Sequence, residues 1–201
     1  RYAGQSRQFH PAMNAPARRP WPKAILFDLD DTLWPIEPVI VQAEQRLYAW
    51  LLQHAPKVAE RHTIASLREA RLAMLEQQPH LHLDLAALRR AGLLDAFTEA
   101  GEDRAKVEHA MAEFVAARNA VEFYDDVAEG LERLRGRVLV GAVTNGNADL
   151  AAIGLSEHFK VSVAAHQLGC MKPDAAIFHA ACRELGVAPE DAVYVGNDVL
   201  L

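Results

Sequence analysis

Hydrophobic residues along this chain follow two patterns, short runs that are almost unbroken and longer stretches with helical spacing. The short runs occupy residues 24–27, 137–143 and 191–195, and polar residues follow each of them. Short apolar runs between turn-forming or acidic residues are typical of strands covered on both faces, as in parallel α/β sheets. The pattern therefore predicts an α/β fold with a parallel sheet.

Helical periodicity replaces the strand pattern between residues 35 and 122. We expect a flexible extension over residues 1–22, a core formed by residues 23–34 and 123–201, and an all-helical insert over residues 35–122. Four helices of the insert are marked by apolar positions at Ile40, Leu47 and Leu51, at Ile64, Leu67 and Leu75, at Leu85 and Leu88, and at Val107, Met111, Phe114 and Val115.

The first strand ends in two carboxylates, Asp28 and Asp30. Residues i and i+2 of an extended chain point to the same side, roughly 7 Å apart, and open α/β sheets bind ligands beyond the carboxyl ends of their strands. Because two such carboxylates repel each other, their pairing indicates a bound cation, and oxygen ligands of this type favour Mg²⁺. The alternative is a solvated turn, in which Asp is a common residue.

Polar residues with a possible role in phosphate binding follow the second run and precede a later helix. Thr144, Asn145 and Gly146 supply a hydroxyl and backbone amides before a helix predicted to open at residue 147 or 148, an arrangement that can hold a phosphate group. An ordinary turn with an Asn cap fits the same residues. Lys172 can offset phosphate charge, and the alternative is a solvated surface lysine.

The last strand-like run ends in Gly196, Asn197 and Asp198. An acid pair, then a threonine, then a lysine, then a glycine before an amide or acid, each beside a strand-like run, resembles the four-motif pattern of the haloacid dehalogenase superfamily. The resemblance extends from about residue 23 to the end of the sequence. It implies a Rossmann-like core with a helical cap, and Mg²⁺-dependent phosphoryl transfer through an aspartyl-phosphate.

The resemblance also implies a role for each motif. Asp28 would be the nucleophile, and Asp30 would protonate the leaving oxygen and then activate water. Thr144 and the amides that follow it would hold the phosphoryl oxygens, and Lys172 would offset charge.

By the same resemblance, Mg²⁺ would be bound by Asp28, by the carbonyl of Asp30 and by the last motif. The residue after the glycine is commonly an acid in the family, whereas here Asn197 precedes Asp198, so the third ligand is either of the two. The family pattern continues beyond Leu201 with a further acid and strand. We therefore expect the natural protein to be longer.

Three other functions share this fold. A haloacid dehalogenase lacks the second acid of the first motif, so Asp30 argues against that activity. A phosphomutase differs only in how its cap excludes water. A non-catalytic metabolite-binding module would be expected to lose motif residues, and Asp28, Thr144 and Lys172 are all present.

The substrate is expected to be a small phosphorylated metabolite, because a cap of this size leaves little room beneath it. Residues 27–33, 144–148 and 154–159 resemble bacterial phosphatases that act on flavin mononucleotide and on a phosphorylated riboflavin precursor. Cap residues that could face the cleft are Trp34, Glu37, Arg46, Arg68, Arg71, His80 and His82.

Composition and charge exclude several other classes of protein. The net charge of -6, without a basic stripe, argues against nucleic acid as a partner. Cys170 and Cys182 lack zinc-ligand spacing, which fits a reducing compartment. The sequence contains no run of the roughly 18 apolar residues that a membrane helix needs. These features predict a cytoplasmic protein.

Overall fold

Within the part of the chain that the structure describes, the sheet has four parallel strands. The structure, a computed structural model, describes residues 21–197, so nearly all of the predicted extension and Asp198 lie outside the described residues. Within them the strand order is β3-β2-β1-β4, with β1 (Ala24–Phe27), β2 (Leu139–Thr144), β3 (Val161–Ala164) and β4 (Ala192–Val195). The α/β fold with a parallel sheet is confirmed.

The two central strands are apolar along their length because helices cover both faces of the sheet. On one face, Leu26 of β1 and Val143 of β2 pack in one buried cluster with Ile177. On the other face, Val140 of β2 packs in a second cluster with Leu131. Burial on both sides explains why these strands lack the alternation of polar and apolar residues seen in half-exposed strands.

Parallel register brings three strand ends to the same edge of the sheet. Phe27, the last residue of β1, lies opposite Ala142 of β2 and Val195 of β4. The residues that follow these three strands must therefore emerge side by side. Asp28 and Asn197 follow two of these strands and Thr144 ends the third, so all three lie at this edge.

Every regular element between β1 and β2 is a helix. The first five are α1 (Ile36–His54), α2 (Pro56–Arg61), α3 (Ile64–Gln77), α4 (Leu85–Ala100) and α5 (Val107–Arg118), and α6 (Val127–Leu134) leads back to the sheet. After β2 come α7 (Leu150–Ile153), α8 (Ala165–Leu168) and α9 (Ala175–Leu185). We call residues 36–118 the helical insert. Its status as a separate domain and as a cap stays a prediction.

The helical insert has a hydrophobic core of its own. Leu51 of α1, Phe97 of α4 and Phe114 of α5 are fully or almost fully buried together. The four helices predicted from spacing are all present, although α1 begins before Pro38 instead of after it. Proline is tolerated there because the amides of a first helical turn have no partner within the helix. No helix within residues 21–197 is long and apolar enough to span a bilayer.

The sequence-based prediction missed β3 and misplaced one helix. The short β3 includes the exposed Ser162, so its apolar signal is broken. The helix predicted to open at residue 147 or 148 is wrong: α7 begins at Leu150, where the carboxylate of Asp149 accepts hydrogen bonds from two backbone amides of its first turn. The cap is thus an aspartate and not the asparagine of the alternative interpretation.

Close packing around β2 requires a glycine at position 141, and this leads to a prediction about stability. A Cβ at Gly141 would lie 2.9 Å from Cγ2 of Val161 and 3.0 Å from Cδ2 of Leu26. We expect Gly141→Ala to lower the free energy of unfolding by about 1–3 kcal/mol, as overpacking does. Gly130→Ala is the matched control, because its added Cβ meets no atom within 4 Å and alanine favours helix. Denaturant unfolding that ranks both variants equally would contradict this packing.

Candidate active site

Asp28 lies at the end of β1 with one carboxylate oxygen held and the other available. Its backbone N–H donates to the carbonyl of Val195 (2.8 Å), which fixes it to β4. The residue is 8% exposed, and its Oδ1 contacts Nζ of Lys172 at 2.7 Å. The same oxygen accepts the N–H of Leu29 (2.8 Å). Oδ2 has no hydrogen-bond donor among residues 21–197, so it is free to react.

Lys172 is held in place by a two-way clasp with Asn145. The backbone N–H of Lys172 donates to Oδ1 of Asn145 (2.8 Å), and Nδ2 of Asn145 donates to the Lys172 carbonyl (3.2 Å). The lysine is 7% exposed, and its Nζ also lies 2.8 Å from the hydroxyl of Tyr194. Because the Asn145 amide is engaged in this clasp, only its backbone N–H remains for the predicted phosphate binding.

Thr144 ends β2 and closes the loop that follows it. It is 1% exposed, and its Oγ1 accepts the backbone N–H of Gly146 (2.9 Å). A Cβ at Gly146 would lie 2.5 Å from Oδ2 of Asp30, so only glycine allows this loop to approach that carboxylate so closely. The first amides of α7 are capped by Asp149 and lie beyond this loop, so phosphate binding by Thr144 and the amides that follow it stays a prediction. The loop itself faces Asp30.

Asp30 is oriented by two side chains that sequence analysis did not place with it. Nη2 of Arg118 contacts both carboxylate oxygens at 2.7 Å, and Nε1 of Trp34 donates to Oδ1 (2.9 Å). Burial raises the pKa of Asp30 above its ordinary value, although Arg118 and Trp34 act in the opposite direction. A carboxyl group that is oriented and binds a proton more readily than usual suits a general acid.

The residues expected to hold Mg²⁺ are only partly within the described chain. The backbone N–H of Asn197 donates to Oγ1 of Thr32 (3.2 Å), which places the last motif beside the first-motif loop. Residues 21–197 contain no group of three His, Cys, Asp or Glu side chains that could bind a metal ion. The available donors are the free oxygen of Asp28, the carbonyl of Asp30 and the amide oxygen of Asn197. All are hard oxygen atoms, and Mg²⁺ usually adds water and phosphate to a few such ligands, so the donor set fits.

Some of the candidate cap residues lie at this site and others do not. Trp34 reaches Asp30, and Arg71 lines a cavity beside it. Arg46 instead pairs with Glu113 across the outer surface of the helical insert, and His80 and His82 are exposed.

Arg118 was missed because the direction of a helical arginine depends on tertiary packing, which spacing does not fix. It is the last residue of α5 and is 2% exposed. Its position beside Asp30 means that the helical insert supplies part of the site.

The cavity beside Asp30 has a volume of about 190 Å³. This is below the range of roughly 300–1,000 Å³ that holds drug-sized ligands, so it suits a small molecule. Its wall is formed by Asp30, Ile36, Ile40, Arg71, Leu85, Leu88, Arg89, Arg118, Gly146 and Asn147.

Two curated phosphatases resemble this chain over most of its length. One is the 5-amino-6-(5-phospho-D-ribitylamino)uracil phosphatase YigB of Escherichia coli, which is 28% identical over 180 residues, covering 88% of this chain and 75% of that protein. The other is a glyceraldehyde 3-phosphate phosphatase of Methanopyrus kandleri, which is 32% identical over 188 residues, covering 87% of this chain and 75% of that protein.

A solved structure is also similar, and a family model covers nearly the whole chain. A 2-haloacid dehalogenase from Pseudomonas syringae pv. tomato superposes with a TM-score of 0.81 at 37% identity, covering 88% of this chain and 78% of that one. Residues 22–199 match the model of the haloacid dehalogenase-like hydrolases. With the four motifs in the family's order and the sheet edge that gathers them, this chain belongs to the haloacid dehalogenase-like hydrolases.

Proposed function

We propose that this protein is a Mg²⁺-dependent phosphatase that hydrolyses a small phosphorylated metabolite through an aspartyl-phosphate. The observation that carries the proposal is the difference between the surroundings of two neighbouring carboxylates. Asp28 keeps one oxygen free beside Lys172, whereas burial raises the pKa of Asp30 next to it. The two curated phosphatase relatives support the same activity.

In the proposed first step, Oδ2 of Asp28 attacks phosphorus in line with the leaving oxygen. The phosphorus–oxygen ester bond breaks as the acyl-phosphate bond forms, and Asp30 gives its proton to the leaving alcohol. Lys172 and the hydroxyl of Thr144 would stabilise the charge on the phosphoryl oxygens.

In the proposed second step, Asp30 accepts a proton from a water molecule that attacks phosphorus. The acyl-phosphate bond breaks, inorganic phosphate leaves, and Asp28 and protonated Asp30 are restored. Arg118 would keep the Asp30 carboxyl group aimed at the leaving oxygen and then at this water.

Mg²⁺ would be held by Asp28, the Asp30 carbonyl and either Asn197 or Asp198. When bound it would neutralise the charge between carboxylate and phosphate and polarise the phosphoryl group. Lys172, which contacts Asp28, would neutralise part of the same negative charge.

Candidate substrates follow from resemblance. The similarity to the Escherichia coli phosphatase supports the phosphorylated riboflavin precursor as substrate. The motifs of this chain also resemble those of phosphatases that act on flavin mononucleotide, which makes that molecule a second candidate. The Methanopyrus relative supports a three-carbon phosphate. A cavity of about 190 Å³ favours the smaller molecule.

Haloacid dehalogenase activity is the second candidate, because the Pseudomonas structure carries that name at 37% identity. In that reaction Asp28 would displace halide from carbon, and halide leaves without a proton. Asp30, whose carboxyl group is held by Arg118 and Trp34, would then have no leaving group to protonate. The geometry of Asp30 therefore favours the phosphatase.

Metal removal separates the two candidates. We expect the protein to release phosphate from an aryl phosphate only with Mg²⁺, and to lose that activity in chelator, because the clustered acids repel a phosphate dianion until a cation is bound. We expect no halide from 2-chloropropionate. A parallel screen of phosphorylated metabolites would then name the substrate. Halide release that persists in chelator, with no phosphate release, would establish the dehalogenase instead.

The role of Asp30 can be tested with leaving groups of different acidity. Asp30→Asn should slow hydrolysis of an alkyl phosphate by about 10²–10⁴-fold, the usual contribution of a general acid, and that of an activated aryl phosphate much less. Asp125→Asn is the matched control, since Asp125 is exposed. Equal slowing of both substrates, measured as kcat/KM, would assign Asp30 to folding or metal binding.

A further inference from the structure

The cavity beside Asp30 is lined by more positive than negative side chains. Arg71, Arg89 and Arg118 form part of its wall, and Asp30 is its carboxylate. Arg118 is paired with Asp30. Arg71 is paired with the buried Glu44 at 2.5 Å, a carboxylate that also binds Arg68. After these pairings Arg89 is left over.

Arg89 is buried without an anionic partner. It is 9% exposed, and residues 21–197 provide neither an ion pair nor a hydrogen bond to its guanidinium; its Nε is fully enclosed and unpaired. The contact it does make is with an aromatic face, its Cζ lying 3.5 Å from the ring centroid of Phe114. Nη1 of Arg118, in the same wall, is also enclosed and unpaired.

The electrostatic surroundings of Arg89 are unfavourable to its charge. Burial, with Arg71 and Arg118 acting in the same direction and Glu44 opposing, lowers the pKa of Arg89 to about 9. At neutral pH the group is still charged. A buried charge without a counter-ion is strongly destabilising, so an anion bound in this cavity would relieve a cost that the free protein bears.

We propose that this cavity binds a second anionic group of the substrate, a carboxylate or a second phosphate, through the guanidinium of Arg89. The inference rests on the proposed phosphatase activity and narrows its substrate class to short phosphorylated carboxylic acids or bisphosphates. The planar guanidinium matches either anion with parallel hydrogen bonds.

The position and size of the cavity set the length of the substrate. Asp30 and Gly146 line it at the reacting end, whereas Arg89 lines it from α4 of the helical insert. Ile36, Ile40, Leu85 and Leu88 form apolar walls in a volume of about 190 Å³. The small volume favours a short carbon skeleton between the phosphoryl group and the anion at Arg89.

Matched substrate pairs test this specificity. The first pair is 3-phosphoglycerate and glycerol 3-phosphate, which share a three-carbon skeleton and differ in a carboxylate. The second is the bisphosphate and the monophosphate of propane-1,3-diol. In the intact protein with Mg²⁺, kcat/KM should favour the anionic member of at least one pair by about ten- to one-hundredfold, the effect of charge-assisted hydrogen bonds. The pair that shows the preference identifies the anion.

Arg89→Gln should reduce that preference to within about threefold, because it removes the charge. Arg90→Gln is the matched control: Arg90 is the next residue of the same helix, is half exposed and pairs with Glu108 on the surface. Arg89→Met, which keeps an apolar stem on Phe114, replaces the glutamine variant if that one does not fold. A preference that is absent in the intact protein, or unchanged in both Arg89 variants, would overturn the inference.

Binding without turnover separates this inference from the phosphatase proposal. Aryl phosphate hydrolysis with no preference in either pair would overturn the second-anion site and leave the phosphatase standing. If aryl phosphate is not hydrolysed, the phosphatase proposal fails, and calorimetric titration of Asp28→Asn with the same pairs decides the anion site. Tighter binding of an anionic member, lost on adding Arg89→Gln, supports the site, and equal binding within both pairs overturns it.

Discussion

The parallel register of β1 with β2 and β4 is the constraint on which the site depends. It aligns Phe27 with Ala142 and Val195, so the three strands end at one edge. Thr144 ends β2, whereas Asp28 and Asn197 follow β1 and β4, so backbone pairing brings all three to that edge. Apolar burial on both faces of the sheet stabilises that pairing, which links the hydrophobic core directly to the position of the nucleophile proposed here.

Two carboxylates close in sequence are tolerated because each has its own cation from a different part of the chain. Asp28 contacts Lys172, which the Asn145 clasp ties to the sheet edge. Asp30 contacts Arg118, the last residue of the helical insert. The proposed nucleophile therefore has its cationic partner outside the helical insert, whereas the cationic partner of the proposed acid comes from the helical insert. In the proposed mechanism, the packing of the helical insert is therefore coupled to the protonation of the leaving group.

The sequence was informative where local pattern decides structure. Residues 24–27 form a central strand covered on both faces, which explains their apolar run. Residues 192–195 form the edge strand, in which Val193 and Val195 are exposed, and their apolar side chains still marked them as a strand. β3 was missed since the exposed Ser162 interrupts a run of four residues. The helix start predicted at residue 147 or 148 was misplaced because Asp149 can cap a helix equally well, and α7 begins after it. Arg89 and Arg118 could not be placed, since only tertiary packing turns a helical arginine inward.

In the proposed mechanism, Asp28 carries the phosphoryl group between the two steps. Acid quenching during turnover with Mg²⁺ and an aryl phosphate, followed by peptide mass spectrometry, tests this most directly. We expect one acid-stable, alkali-labile phosphoryl group on the peptide that contains Asp28, and none in Asp28→Asn. A phosphoryl group on another residue, or phosphate release at the rate of the unaltered protein from Asp28→Asn, would contradict it.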